Sequence, residues 1–187
     1  MSGSDSSAAP ISAAVVTLSD KASIGLRDDT SGPLLGELLR ELGADVSQLH
    51  VIPDEQGELE RLLISIVDGG AVDVILTTGG TGLAPRDRTP EATLAVADRL
   101  APGFADAMRA ASLAVTPHAM LSRAVSVVRN RTLIINMPGS PKACREHFAV
   151  IAPVLRHAVE TLRGEAYECA TVATDAASAS GDASTAS

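Results

Sequence analysis

Short apolar runs rich in β-branched residues alternate along this chain with segments in which leucines recur every three or four positions. AAVVTLS (Ala13 to Ser19) and VDVILTT (Val72 to Thr78) are nearly unbroken apolar stretches ending in polar residues, the pattern of strands covered on both faces. SQLHVIP is a weaker strand, and AVSVVRN followed by RTLIINMPG reads as a hairpin about Asn130 and Arg131. PLLGELLRELG is a helix opened by Ser31, with Gly32 and Pro33 behind it. It carries Leu34, Leu35, Leu38, Leu39 and Leu42 on one stripe and ends at Gly43. EQGELERLLISIVDGG repeats the logic and stops at Gly69 and Gly70. In TPEATLAVADRL, Thr89 reads as the N-cap, with Pro90 at the first helical position and Glu91 in the first turn. A last helix is predicted from Pro141 to about Leu162, with Pro153 expected to kink or split it.

Strands and helices at this spacing predict an α/β fold, a mainly parallel sheet with helices on both faces. A chain of 187 residues with 45% hydrophobic content suits one well-buried core, so a single domain is expected over residues 12–168. The Ser/Ala/Gly-rich ends, 1–11 and 169–187, bury too little apolar area to offset the entropy of ordering and are expected to be disordered tails. The formal charge of −8 argues against a general basic surface for nucleic acid, though not against a local anion site. No apolar run approaches the roughly 18 residues of a membrane span, and the N-terminus has no signal-peptide pattern, so no membrane partner is expected. Cys144 and Cys169 are far apart and match no metal-ligand spacing; a cytoplasmic protein without disulfides is the expectation.

Candidate chemistry concentrates where VDVILTT ends. In open α/β sheets ligands bind beyond the carboxyl ends of strands, which is where Thr78, Gly79, Gly80, Thr81 and Gly82 fall. Such a loop can present backbone N–H groups and hydroxyls to an oxyanion or to the polar face of a ring; it reads equally as a tight connection. It matches neither the dinucleotide fingerprint nor the P-loop. Asp87, between Arg86 and Arg88, can coordinate Mg²⁺ while the guanidiniums face phosphate, or form a surface salt bridge. The histidines at 50, 118, 147 and 157 show no ligand spacing, and Cys144 is expected to be a small buried side chain.

Five motifs, in order, carry a resemblance: SDKASIGLRDDTSGPLLGELLRELG, VIPDE, LTTGGTGLAPRDRTPEAT, PHAMLSRAV and LIINMPGSPKACREHF. Together they make the chain, from about Val15 to Thr161, closely resemble the Mog/MoaB family of molybdenum-cofactor biosynthesis proteins. The resemblance implies a three-layer α/β/α domain of the molybdopterin-binding type, usually a homotrimer. It also implies an adenylyltransferase that activates molybdopterin with Mg-ATP, releases pyrophosphate and hands its product to the molybdate-inserting enzyme. By the same resemblance Asp54 and Asp87 are the essential acids and the Mg²⁺ ligands, although Asp54 alone reads also as a helix N-cap. Ser122 and Arg123, with Ser112 as a second candidate, match the pterin-contacting segment. Pro138, Gly139 and Ser140 lie at a strand-to-helix turn suited to phosphate, and Ser19, with Asp20, borders the pocket. Two alternatives accompany this reading: a MoaB-like pterin-binding protein with another primary role, and a non-catalytic scaffold or oligomerisation module.

Overall fold

A computed structural model describes residues 9–165. Six strands form one sheet in the order β2-β1-β3-β6-β5-β4: β1 Ser12–Leu18, β2 Asp45–Ile52, β3 Val74–Thr78, β4 Arg99–Leu100, β5 Ser126–Arg129 and β6 Thr132–Met137. β1 pairs in parallel with β2 and β3, and β3 with β6, whereas β5 runs antiparallel to both β6 and β4. Mainly parallel is therefore correct, with an antiparallel edge. The predicted hairpin is β5–β6, turned at Asn130 in the left-handed region (φ 52°).

The helices are α1 Asp20–Ser23, α2 Ser31–Glu41, α3 Gln56–Asp68, α4 Thr89–Ala95, α5 Gly103–Leu113 and α6 Pro141–Arg163, with a 3₁₀ turn over Pro117–Leu121. Alternate residues of the central strands point to opposite faces. Val15, Leu76, Leu133 and Ile135 pack with Leu35 and Leu39 of α2, Met108 of α5 and Phe148, Ile151 and Leu155 of α6. Ala14, Val16, Ile75 and Ile134 pack with Leu59 and Leu63 of α3 and Ala92 of α4. The result is the expected three-layer α/β/α architecture.

Several local expectations change. Ser31 is the first residue of α2, as expected, but its hydroxyl does not cap the helix. Its hydroxyl donates to the Gly139 carbonyl at 2.9 Å, while Asp29 Oδ1 accepts from the Ser31 and Gly32 amides, both at 3.0 Å, and so supplies the cap. Thr89 likewise donates its hydroxyl across the loop to the Gly79 carbonyl at 2.8 Å instead of capping α4. The helix predicted through Leu100 stops at Ala95, and Arg99–Leu100 pair with β5 at the sheet edge. α6 runs unbroken through Pro153, so no split occurs there. Its apolar face against the core holds the turn that lacks one amide donor.

Ile11, placed by composition in the N-terminal tail, is a core residue. Ala9 and Pro10 beside it accept hydrogen bonds from Arg163, which forms a two-pronged ion pair with Asp73 and so ties the end of α6 to the entry of β3. The remainder of the expected tails, and Cys169, lie outside the described residues. None of the described helices is long and apolar enough to cross a membrane.

Candidate active site

The parallel strands β1, β3 and β6 end together, and the segments that follow them enclose a cleft of about 310 Å³. Ser19, Asp54, Thr78, Gly79, Gly80, Asp87 and Gly139 line it, so seven of the residues singled out in the sequence converge there. Thr17, Arg27, Asp28, Asp29, Thr30 and Ser31, from the end of β1 and the approach to α2, complete the wall.

The glycines of the loop are required by the protein's own backbone. Gly79 has φ 99°, and a Cβ there would lie 2.4 Å from the Leu18 carbonyl oxygen; Gly80 has φ 62°, and a Cβ would lie 2.4 Å from Thr89 Oγ1. Close packing of the loop onto β1 and α4 thus explains these two residues, and the same turn forms part of the cleft wall. Thr78 donates its hydroxyl to the Pro138 carbonyl at 2.6 Å, which joins the ends of β3 and β6. Beneath, buried Asn136 donates to Thr77 and Thr93 hydroxyls and accepts from the Val125 amide, so the platform under the cleft has its polar groups satisfied.

Asp54 and Asp20 are reciprocally bonded. Asp54 Oδ2 accepts from the Asp20 amide at 2.9 Å, and Asp20 Oδ1 accepts from the Asp54 amide at 3.0 Å. The cap role that the sequence allowed for Asp54 is thus not realised: Glu55 holds that position, without a side-chain cap bond. Asp54's other oxygen, Oδ1, lies towards Gly80, 3.6 Å from where a Cβ on that residue would sit. Burial pushes the Asp54 carboxyl above its ordinary value, and the charges of Asp20 and Asp87 push the same way against the Asp20 amide bond. Asp20, by contrast, is held low, first by the hydrogen bonds from Arg86. Arg86 reaches Asp20 with two nitrogens at 2.8 Å and Glu55 at 2.9 Å, bridging the glycine loop to the segments after β1 and β2. Asp87 forms no ion pair with its arginine neighbours: Oδ2 accepts from the Ala84 amide at 2.9 Å.

The remaining candidates lie elsewhere. Arg123 does not reach for phosphate. Its guanidinium donates to the Gly82 carbonyl at 2.7 Å, to the Asp87 carbonyl and to Glu91, and its amide donates to the Thr81 carbonyl, so it braces the loop from behind. Thr81 and Gly82 belong to that braced segment, and Thr81 is nearly buried. Ser122 sits beside it after the 3₁₀ turn, and its hydroxyl accepts weakly from the Ala124 amide at 3.4 Å. Ser112 faces α6 and pairs with His147 Nε2 at 2.5 Å; His147, which shows no ligand spacing in the sequence, is thus a structural link between α5 and α6. Ser140 caps α6 by accepting from the Ala143 amide at 3.3 Å, while Gly139 faces the cleft. The Pro138 carbonyl accepts from Thr78 and from buried Cys144. Asp29 was missed in the sequence although Asp at a helix start is a capping signal; here Oδ2 also accepts from the Thr17 hydroxyl at 2.6 Å.

A larger cavity of about 580 Å³ lies at the other end of the sheet, lined by Asp73, Arg131 and Arg163 among others. Its arginines are engaged, Arg163 with Asp73 and Arg131 with carbonyls at the end of α6.

Residues 14–157 match the family described as "Probable molybdopterin binding domain". A molybdopterin adenylyltransferase of Helicobacter pylori is 41% identical over 152 residues, which are 80% of this chain and 86% of that protein. That of Escherichia coli is 48% identical over 134 residues, 71% of this chain and 69% of that protein. The crystal structure of the molybdopterin biosynthesis enzyme MoaB from Thermus thermophilus superimposes with a TM-score of 0.78 at 44% identity, covering 84% of this chain and 99% of that one. A profile match across most of the described chain, and relatives of this identity on the same fold, establish that the protein belongs to the molybdopterin-binding domain family.

Proposed function

We propose that this chain is a molybdopterin adenylyltransferase: it joins the terminal phosphate oxygen of molybdopterin to the α-phosphorus of ATP and releases pyrophosphate. The observation that carries the reading is the convergence of Asp54 and Asp87 with the Gly79–Gly80 turn in one cleft at the carboxyl ends of the parallel strands. The names of the relatives supply the substrates.

Both substrates are anions, and transfer between them needs positioning and charge stabilisation, not a protein nucleophile. The chain holds its acids in place for this. The Asp20 amide fixes one oxygen of Asp54 and the Ala84 amide one oxygen of Asp87, leaving each with its second oxygen. Mg²⁺ fits this donor set: hard carboxylate oxygens, in a place where burial, joined by the charges of Asp20 and Asp87, already presses the Asp54 carboxyl towards its protonated form. Asp54 and Asp87 would hold it, and when bound it would supply neutralisation of the charge that gathers between the two phosphates. Gly79, Gly80 and Gly139 give the substrates a wall without side chains, and Arg123 keeps the loop carrying Asp87 in position. Ser122, adjoining that brace, is proposed to contact the pterin; Ser112 is paired with His147 of α6 and is not among the residues lining the cleft.

A homotrimer is proposed with this activity, as is cytoplasmic hand-over of the product to the molybdate-inserting enzyme. An exposed apolar groove between α5 and α6, with Phe104, Val150 and Val154 on its walls, is surface that self-association would cover. Pterin binding without transfer is the alternative outcome. Purified protein, molybdopterin and Mg-ATP, followed by pyrophosphate release, test the choice. The proposal requires turnover that needs all three and is lost in Asp87→Asn; pterin binding with no pyrophosphate at any enzyme concentration would exclude it.

A further inference from the structure

The cleft is electrostatically lopsided for a site that admits two phosphorylated substrates. Among the residues lining it are four acids, Asp28, Asp29, Asp54 and Asp87, and a single base, Arg27. The other arginines near the glycine loop are spent or turned elsewhere. Arg86 is locked to Asp20 and Glu55, Arg123 to Gly82, Asp87 and Glu91, and Arg88 lines a neighbouring depression with Leu83 and Pro85. Arg27 is exposed and, among the described residues, makes no hydrogen bond or ion pair.

Its place in the backbone is nonetheless fixed. On one side the Leu26 amide bonds the Lys21 carbonyl at 2.9 Å and the Gly25 amide bonds the Ala22 carbonyl at 3.0 Å. On the other, Asp29 is pinned by the Thr17 hydroxyl at 2.6 Å and by two amides at the start of α2. Arg27 and Asp28 are the two residues between those anchors. The arm thus offers a free guanidinium from a short, tethered span, on a different connection from those carrying Asp54 and Asp87.

We infer that Arg27 is a substrate-binding residue that grips a phosphate oxyanion in the cleft. The inference rests on the adenylyltransferase reading and adds to it the cation that the chain itself supplies. Asp54 and Asp87 are the ligands proposed for a metal, and Asp29 spends its oxygens on Thr17 and α2, so Arg27 is what remains to offset charge on the substrate side. A guanidinium suits the task because its planar pair of N–H donors matches two oxygens of a phosphate. The oxyanion comes either from the β,γ end of ATP or from the terminal phosphate of the pterin.

The test is binding to the full-length protein by titration calorimetry, with Mg²⁺ and α,β-methylene-ATP in one arm and molybdopterin in the other, for wild type, Arg27→Ala and Arg27→Lys. Arg27→Ala is expected to raise one of the two dissociation constants about tenfold, with partial recovery in Arg27→Lys, which keeps the charge but not the fork. The constant that rises identifies which phosphate is held. The thermal midpoint should not move, since the side chain is exposed and unbonded. Under turnover, the loss in kcat/KM should lie mainly in KM for that substrate. If Arg27→Ala binds both ligands like wild type, the inference is overturned. Wild-type protein that binds both ligands without turning over would refute the transferase reading alone, and the same isotherms would still decide for or against Arg27.

Discussion

Replacing Gly79 by Ala tests whether the glycine loop is built from backbone necessity. The substitution adds one methyl group, and the structure places it 2.4 Å from the Leu18 carbonyl oxygen and 3.4 Å from that residue's carbonyl carbon. The obstacle is backbone, so it cannot rotate aside, and Ser19 immediately beyond is bonded to the Ile52 carbonyl at 2.9 Å. Holding a non-glycine residue at φ 99° costs roughly 1–2 kcal/mol, and relieving an overlap in a packed region about 1–3 kcal/mol more. A loss of about 2–5 kcal/mol is expected, which for a chain of this size is a fall in Tm of roughly 4–20 °C. Urea unfolding with calorimetric melting measures it. Gly103→Ala is the control, because a Cβ there meets nothing within 4 Å and the residue opens α5. The displacement also runs towards Ser19 and the Asp20–Asp54 pair, so pyrophosphate release should fall as well. Gly79→Ala protein as stable as Gly103→Ala would refute the reasoning.

Asp87→Asn and Asp54→Asn are each expected to abolish adenylation while molybdopterin affinity stays within about threefold, as read by pterin fluorescence; normal turnover in either would remove that acid from its proposed role. Asp54 has a second signature in stability. Its folded-state pKa is raised above the ordinary value of 3.8, so ionised Asp54 costs stability at neutral pH, and that cost disappears as pH falls through the raised value towards the unfolded one. Asp54→Asn should therefore melt at or above the wild-type temperature at pH 7, with the difference shrinking towards pH 4; a mutant clearly less stable at pH 7 would contradict it. Arg123→Ala should lower kcat by at least tenfold through loosening of the loop that carries Asp87, and should increase proteolysis within residues 79–88; intact kinetics would show that the brace is dispensable. Ser122→Ala is expected to weaken pterin retention, and unchanged pterin affinity would count against its assignment.

The layers were readable because β1 and β3 are short apolar runs covered on both faces and α2 and α3 carry leucine stripes, patterns set by burial. β4 was not readable. Two residues on a sheet edge, both exposed, have no periodicity, and they form a strand only because β5 lies alongside. Local capping signals also misled where a hydroxyl had a better distant partner. Thr89 bonds the Gly79 carbonyl and Ser31 the Gly139 carbonyl, and both contacts exist only after folding. The site shows the same division. Asp54, Asp87, Gly79 and Gly80 were recoverable from motif order and from the position of the loop at a strand end, and they do share the cleft, whereas Gly82 of the same loop does not line it. The brace formed by Arg123, the Asp20–Arg86–Glu55 bridge and the Ser112–His147 link depend on side chains brought together from positions 31 to 66 residues apart, which no local pattern specifies.

Label transfer tests the central claim most directly. ATP carrying a radioactive α-phosphate is incubated with Mg²⁺, molybdopterin and the purified protein, and the pterin is separated from the nucleotides. The account predicts α-label on the pterin in stoichiometric step with pyrophosphate, and no transfer from γ-labelled ATP or with Asp87→Asn. Label that stays with the nucleotide while the pterin is demonstrably bound, or that reaches the pterin from the γ position, would contradict it.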